Sequence, residues 1–307
     1  MRKTAIVLVA GSGNVTGMNI IRALNKKYKV LGCDFKRENA ANLFCENFVI
    51  SPCASTMYES ELLAIIRENK ITHVIASNDH DVRAIAKLYP YLEREGVFFN
   101  GYGIHTLDLL NKSKTYELFT NNDILTPERL SESSSLPMVL RKKEMGKTKK
   151  FVHIIKSQED WANISEEEKQ GGLYTRYIPG EEYTIDVLCS SDSTLMVAIP
   201  RLRIKVENGM VVHAKIVHDD KLIEIVRGIV ATLKLKGMNC IQCIKFKDKY
   251  YFIEINPRPG SGMDLSIHAN INMPFLWIEE TEGKSFSIPE PDWGLKLLRF
   301  FDGYYFK

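Results

Sequence analysis

The chain has 307 residues, enough for two or three compact units, each with its own core. It carries 41 Lys and Arg against 38 Asp and Glu, a net charge of only +3. This gives no support to a nucleic-acid binder and leaves the basic runs Arg141-Lys142-Lys143 and Lys147 to Lys150 better suited to an anionic small molecule.

No apolar run reaches the roughly 18 residues that span a bilayer, so no membrane partner is expected. Met1-Arg2-Lys3-Thr4 leads into a short apolar stretch and then glycines, a buried strand rather than a signal peptide. The cysteines at 33, 45, 53, 189, 240 and 243 show no paired zinc or disulfide spacing and fit a reducing, cytoplasmic compartment. Cys240-Ile241-Gln242-Cys243 is a lone CxxC inside an expected strand, where small buried hydrophobes are the simpler reading.

The first hundred residues alternate strand and helix. Continuous apolar runs predict strands over 5–10, 30–34 and 72–76. Between and after them, helices are expected over about 18–26, 57–69 and 81–92. Short strands separated by helices indicate a parallel, doubly wound α/β sheet. The pattern then shifts. A helix is expected over 112–121. Strands follow over 138–141, 151–155, 183–188 and 195–199, then a helix over 219–233 and two strong strands over 240–246 and 250–255. This second half reads as α+β.

Those last two strands form a hairpin. With Asp248 at the turn centre, residue 246 opposes 250, 244 opposes 252 and 242 opposes 254. Gln242 and Glu254 then face each other about 5 Å apart, and Asn256 lies two residues on, on the same face. A carboxylate in an apolar strand is costly unless paired or metal-bound. Oxygen ligands without His or Cys suit a hard cation such as Mg²⁺. Satisfaction of Glu254 by Arg258 or by backbone amides is the alternative.

Glu254-Ile255-Asn256-Pro257-Arg258 resembles the E-x-N-P-R signature of ATP-grasp enzymes, in the carbamoyl-phosphate-synthetase-like and biotin-carboxylase-like branch. The resemblance implies a Rossmann-like pre-ATP-grasp domain over 1–105, then an ATP-grasp domain over 106–307 with a flap inserted at about 136–174. It implies that Gln242, Glu254 and Asn256 hold Mg²⁺ on the phosphates of ATP. Arg258 would meet the transferring phosphoryl group or acyl phosphate, as positive charge where negative charge develops. Asn111-Lys112-Ser113-Lys114-Thr115 resembles the family's "DK" helix start, which makes Lys114 a phosphate contact. Ile124-Leu125-Thr126-Pro127 resembles its "GIPxP" segment.

Arg141 falls where the family has an ATP-contacting Lys. The loop Glu144-Met145-Gly146-Lys147-Thr148 stands at the phosphate-covering flap with a single glycine. It is not a P-loop, because Arg141 occupies the position of the required first glycine. Tyr174 to Thr184 resembles the hinge. Backbone around Thr175 to Tyr177 would take the adenine edge and Glu182 the ribose, with Arg176 in place of the usual Glu. Pro200-Arg201-Leu202-Arg203 resembles the family's PRxR, with Arg203 near the substrate carboxylate or the phosphates. Lys215 is a further phosphate-side candidate.

The activity implied is a carboxylate–amine ligase acting through an acyl phosphate, with an amino acid as one substrate; a dimer is common in that family. Two other readings stay open. Arg141, Arg176 and the glycine-poor flap suit a non-catalytic ATP-binding protein. The loop Gly11-Ser12-Gly13-Asn14-Val15-Thr16-Gly17, after a strand and before a helix, with Asp34 ending the next strand, suits an NAD(P)-dependent reductase. Its last glycine falls one residue late for that motif. Ser77-Asn78-Asp79-His80-Asp81, after the third strand, offers Asp79 or Asp81 to a substrate amine, or forms a helix cap.

Overall fold

The computed structural model describes residues 5–101, 106–143, 151–207, 209–300, 302, 303 and 305. Three sheets organise them. The first holds β1 (Ile6–Ala10), β2 (Lys29–Asp34), β3 (Glu46–Val49), β4 (His73–Ala76) and β5 (Phe98–Phe99), all parallel, in the order β3-β2-β1-β4-β5. The second is an antiparallel sheet of β6 (Arg129–Leu130), β7 (Met138–Lys142), β8 (Val152–Ile155) and β9 (Gly172–Arg176), ordered β6-β9-β7-β8. The third comprises β10 (Glu181–Cys189), β11 (Leu195–Glu207), β12 (Met210–Ile216), β13 (Gly237–Phe246), β14 (Lys249–Asn256) and β15 (Lys296–Leu298). Its order is β14-β13-β10-β11-β12-β15, antiparallel throughout.

The parallel sheet follows from its sequence. Val7, Leu8, Val9 and Ala10 are completely buried, as a strand covered on both faces requires. The first helix begins at Val15, three residues earlier than expected, because Asn14 caps it by accepting from Gly17 N. The expected helix over 81–92 is two helices, Asp79–Lys87 and Tyr89–Arg94. Pro90 has no amide to continue the first, so the chain breaks at Leu88.

The six-stranded sheet positions the site. Its helix-side face carries Tyr183, Ile185, Val187, Ile241, Cys243, Phe252 and Ile255, packed with Leu222, Val226, Ile229 and Val230 of the helix Asp220–Leu233. Cross-strand partners share a face. The register therefore puts Glu254, Gln242, Thr184 and Arg201 in one row on the other face, with Asn256, Cys240, Asp186 and Ile199 in the next. The strand expected over 195–199 runs on to Glu207. It passes through Pro200, which opposes Ile185 while its carbonyl accepts from Val217 N.

The hairpin register needs one correction. The turn is shorter than expected, with Phe246 opposite Lys249 and Ile244 opposite Tyr251. A bulge at Ile253 then adds one residue and restores Gln242 opposite Glu254. The bulge has a consequence for chemistry. Phe252 and Glu254, two apart, would share a face in a regular strand. The extra residue sends Phe252 into the core and Glu254 to the polar side.

Candidate active site

The polar side of the six-stranded sheet opens at the Glu254 end and is closed at the Asp186 end by the helix Met263–His268. Glu254 Oε1 lies 2.5 Å from Lys112 Nζ, both side chains about one-seventh exposed. Gln242 is directly opposite, and Asn256, 6% exposed, follows one row behind. Arg203 pairs with Glu182 at 3.1 Å. Arg258 donates from Nε to Asp79, which the parallel-sheet region extends across the boundary, and from Nη1 to the Pro259 carbonyl at 3.0 Å. Burial works against the Arg258 charge, but Asp79 outweighs it and raises the guanidinium pKa.

The four-stranded sheet comes to this region at the end of β7. Met138, Leu140, Ile155 and Tyr174 form its own small core with Ile164. By alternation Val139, Arg141, Val152, Ile154, Leu173 and Thr175 share the other face. Val152 and Ile154 are more than half exposed there. Arg141 is 7% exposed, its Nε has no hydrogen-bond partner, and no carboxylate among the described residues pairs with it. Thr175 Oγ1 is likewise buried without a partner. Lys112 N donates to the Lys143 carbonyl at 3.1 Å, which brings the end of β7 beside the residue that reaches Glu254. A buried cation without a counter-charge carries a desolvation cost that an anion would offset.

Several expected contacts fall elsewhere. Lys114 points outward to Asp108, 2.5 Å away, with its side chain 55% exposed. Lys112, two residues earlier, faces the site. Asn111 caps the helix Lys112–Asn121, so the residue at its first position projects toward β14. Lys215 opposes Leu202, which opposes Tyr183, so alternation puts it on the helix-side face, away from Glu254. The hinge amides expected to meet adenine are already engaged: Arg176 N donates to Glu128 O and Tyr177 N to Pro137 O, while Thr175 lies between β6 and β7. Arg176 forms an exposed pair with Glu128. The loop over 144–148 lies outside the described residues. Cys240 lies on the polar face and Cys243 on the core face, so the CxxC forms no pair; both are buried free thiols.

The glycine loop is a second polar concentration, beside a cavity of about 550 Å³. Gly13 N donates to Asp34 Oδ2 at 3.1 Å and Gly17 N to Asn14 Oδ1 at 3.0 Å. Ser77 Oγ donates to the Gly11 carbonyl, and Ser12 Oγ to Asn47. Gly17 is required by close approach: a Cβ there would lie 2.6 Å from the Gly11 carbonyl oxygen. Asp81 accepts from Tyr58 Oη, Cys53 Sγ and Asn78 Nδ2, and burial raises its pKa. Two carboxylates line this cavity, and its glycine amides are taken up internally, a poor setting for a pyrophosphate.

The donor set at Glu254 suits a hard cation held jointly with phosphates. It has one carboxylate and two side-chain amides, with no sulfur or imidazole. Among the described residues no group of three or more His, Cys, Asp or Glu side chains is placed to hold a metal alone. No helix among them is long and apolar enough to cross a membrane.

A Rossmann-like parallel sheet, a small four-stranded antiparallel sheet and a large six-stranded antiparallel sheet together make the ATP-grasp fold. Residues 168–298 match the family described as ATP-grasp in the biosynthetic pathway with Ter operon. An N5-carboxyaminoimidazole ribonucleotide synthetase in its ADP complex is similar at a TM-score of 0.74 and 15% identity, covering 92% of this chain and 78% of that one. The Staphylococcus aureus N5-carboxyaminoimidazole synthetase with ADP gives 0.73 and 15%, covering 94% and 79%. The biotin carboxylase domain of Hydrogenobacter thermophilus 2-oxoglutarate carboxylase, with MgADP and bicarbonate, gives 0.73 and 12%, covering 93% and 71%. No curated protein matches the chain by sequence.

Proposed function

We propose that this protein is an ATP- and Mg²⁺-dependent carboxylate–amine ligase that forms an amide by way of an acyl phosphate, with an amino acid as one substrate. The observation that carries the reading is the pairing of two half-sites. Glu254, Gln242 and Asn256 converge on the large sheet, and Arg141 stands buried on the flap sheet with no counter-charge among the described residues. Similar solved structures bind ADP or MgADP. On this reading residues 1–105 form the pre-ATP-grasp domain and 106–307 the ATP-grasp domain, with the flap at about 136–174.

Bound Mg²⁺ would neutralise phosphate charge and so make the γ-phosphoryl group electrophilic. Glu254 with the amide oxygens of Gln242 and Asn256 would hold it. Arg141 and Lys112 would take phosphate oxygens, the second by leaving Glu254. Val139 and Ile154 offer an apolar wall to the adenine, and the Ile178 N–H, which has no acceptor among the described residues, is the hinge amide still available. Arg258 would stabilise charge at the acyl phosphate, and Arg203 would orient the carboxylate. Positioning and charge neutralisation supply most of the rate, because phosphoryl transfer asks little covalent chemistry of the protein. Flap closure would keep water from the acyl phosphate.

The test is MgATP with pooled amino acids and carboxylates, following ADP and phosphate. Turnover that needs both an amine and a carboxylate is expected. Tight ATP binding without such turnover would favour the non-catalytic ATP-binding reading, which the Arg176–Glu128 pair at the hinge keeps in view.

A further inference from the structure

The loop that carries Arg258 rests on a buried ion pair that has no part in the chemistry above. Arg201 makes a two-point fork onto Asp186, Nε to Oδ2 and Nη2 to Oδ1, both 2.7 Å. Ser266, in the helix Met263–His268, donates to the same Oδ2 at 2.6 Å. All three residues are at most 2% exposed. Pairs this deep are a weak source of stability, since apolar replacements often do as well. Their value here lies in what they hold.

A Cβ on Gly262 would lie 2.4 Å from Arg201 Nη1, and one on Gly260 would lie 2.9 Å from Cys240 Sγ. Gly262 has φ −98°, which any residue adopts, so close approach is what requires glycine, chiefly to the guanidinium and also to Val211 Cγ1, which a Cβ would meet at 2.9 Å. The loop is also tied from other sides. Asn19 and Arg299 both donate to the Ser261 carbonyl, at 3.3 and 3.2 Å, and Arg299 pairs with Asp264. Four residues before Gly262, Arg258 projects to Asp79.

We propose that Arg201, Asp186 and Ser266 are positioning residues. They form a rigid platform that fixes the height of the Pro259–Gly262 loop and, through it, the place of the Arg258 guanidinium at the mouth of the sheet. The inference rests on the reading of Arg258 as the group that meets the transferring phosphoryl. A two-point fork sets an orientation that a lysine, a point charge on a flexible stem, does not.

Gly262→Ala tests this without changing any charge. Three quantities are measured on the full chain: MgATP affinity by calorimetry, ADP release with MgATP and pooled amino acids and carboxylates, and the Nε–Hε NMR signal of Arg258. The expected result is affinity within about twofold, kcat lower by about ten- to a hundredfold, and a displaced Arg258 signal. On an Arg201→Lys background the same change should add clearly less than it costs alone, because the closest contact, that with Arg201, is shared. A folded Gly262→Ala protein with wild-type kcat and an unmoved Arg258 signal overturns the proposal, as do effects that simply add. If the wild-type protein turns over no MgATP, the functional reading fails. The Arg258 signal still decides the platform, for it if the signal moves and against it if it does not.

Discussion

The glycine loop after β1 and the mouth of the six-stranded sheet both gather polar groups at the edge of a sheet, but they use them differently. At the glycine loop the glycine amides and the Ser77 hydroxyl are satisfied within the loop and its neighbours: Gly13 N by Asp34, Gly17 N by Asn14, Ser77 Oγ by the Gly11 carbonyl. At the mouth, charges pair across separate elements, Lys112 with Glu254, Arg203 with Glu182, Arg258 with Asp79, and Arg141 has no counter-charge among the described residues. Glycine spacing announces a tight turn. A ligand site additionally needs groups that can change partners, and only the mouth has them. This weighs against the NAD(P)-dependent reductase reading.

The contrast can be broken most sharply at Glu254. Glu254→Gln should lower MgATP turnover by at least about a hundredfold while the melting temperature moves by only a few degrees. Surviving turnover would remove the metal assignment. Next in size is the contrast between two neighbouring lysines. Lys112→Met should cost about tenfold or more in turnover, and Lys114→Met should change stability by less than about 0.5 kcal/mol and leave turnover alone. Equal losses from both would return Lys114 to the site.

The joint between the two regions has its own signature. His73 of β4 is 1% exposed, with Nε2 3.0 Å from Thr281 Oγ1 of the helix Met273–Thr281. Burial, with Lys284 adding to it, lowers its pKa from 6.5 to about 4. The folded state therefore keeps the ring neutral while the unfolded chain protonates below pH 6.5. Stability is fully present above about pH 6.5 and falls toward pH 4, by about 3 kcal/mol from this group. Melting at pH 7 and pH 5 should show a larger drop for the wild type than for His73→Gln; equal drops would count against it. The smallest effect belongs to the glycine loop. Asp34→Asn should cost about 1 kcal/mol of stability and leave ADP release unchanged, with no NADH binding in either protein. Lost turnover would mean the loop takes part in the reaction.

Much of this was legible in the sequence where one strong pattern dominates. The apolar run from residue 5 to 10 announces a central parallel strand, and Glu254-Ile255-Asn256-Pro257-Arg258 announces the polar hairpin. What lay hidden was set by tertiary geometry. The bulge at Ile253 leaves no local mark, yet it decides which face Glu254 and Phe252 take. Lys112 and Lys114 have similar claims in sequence, and only the orientation of the helix beneath β14 separates them. Strand β3 is a polar edge strand without alternation, so nothing in Glu46-Asn47-Phe48-Val49 announced it. Asp186 is the one acid in the run from Tyr183 to Leu188; its partner is on the neighbouring strand, 15 residues on.

The most direct test of the central claim is calorimetric titration of MgATP into the wild-type chain and into Arg141→Met, with and without EDTA. The account predicts saturable binding to the wild type that EDTA weakens strongly, and affinity at least about tenfold lower in Arg141→Met. Binding that is indifferent both to chelation and to the loss of Arg141 would contradict it.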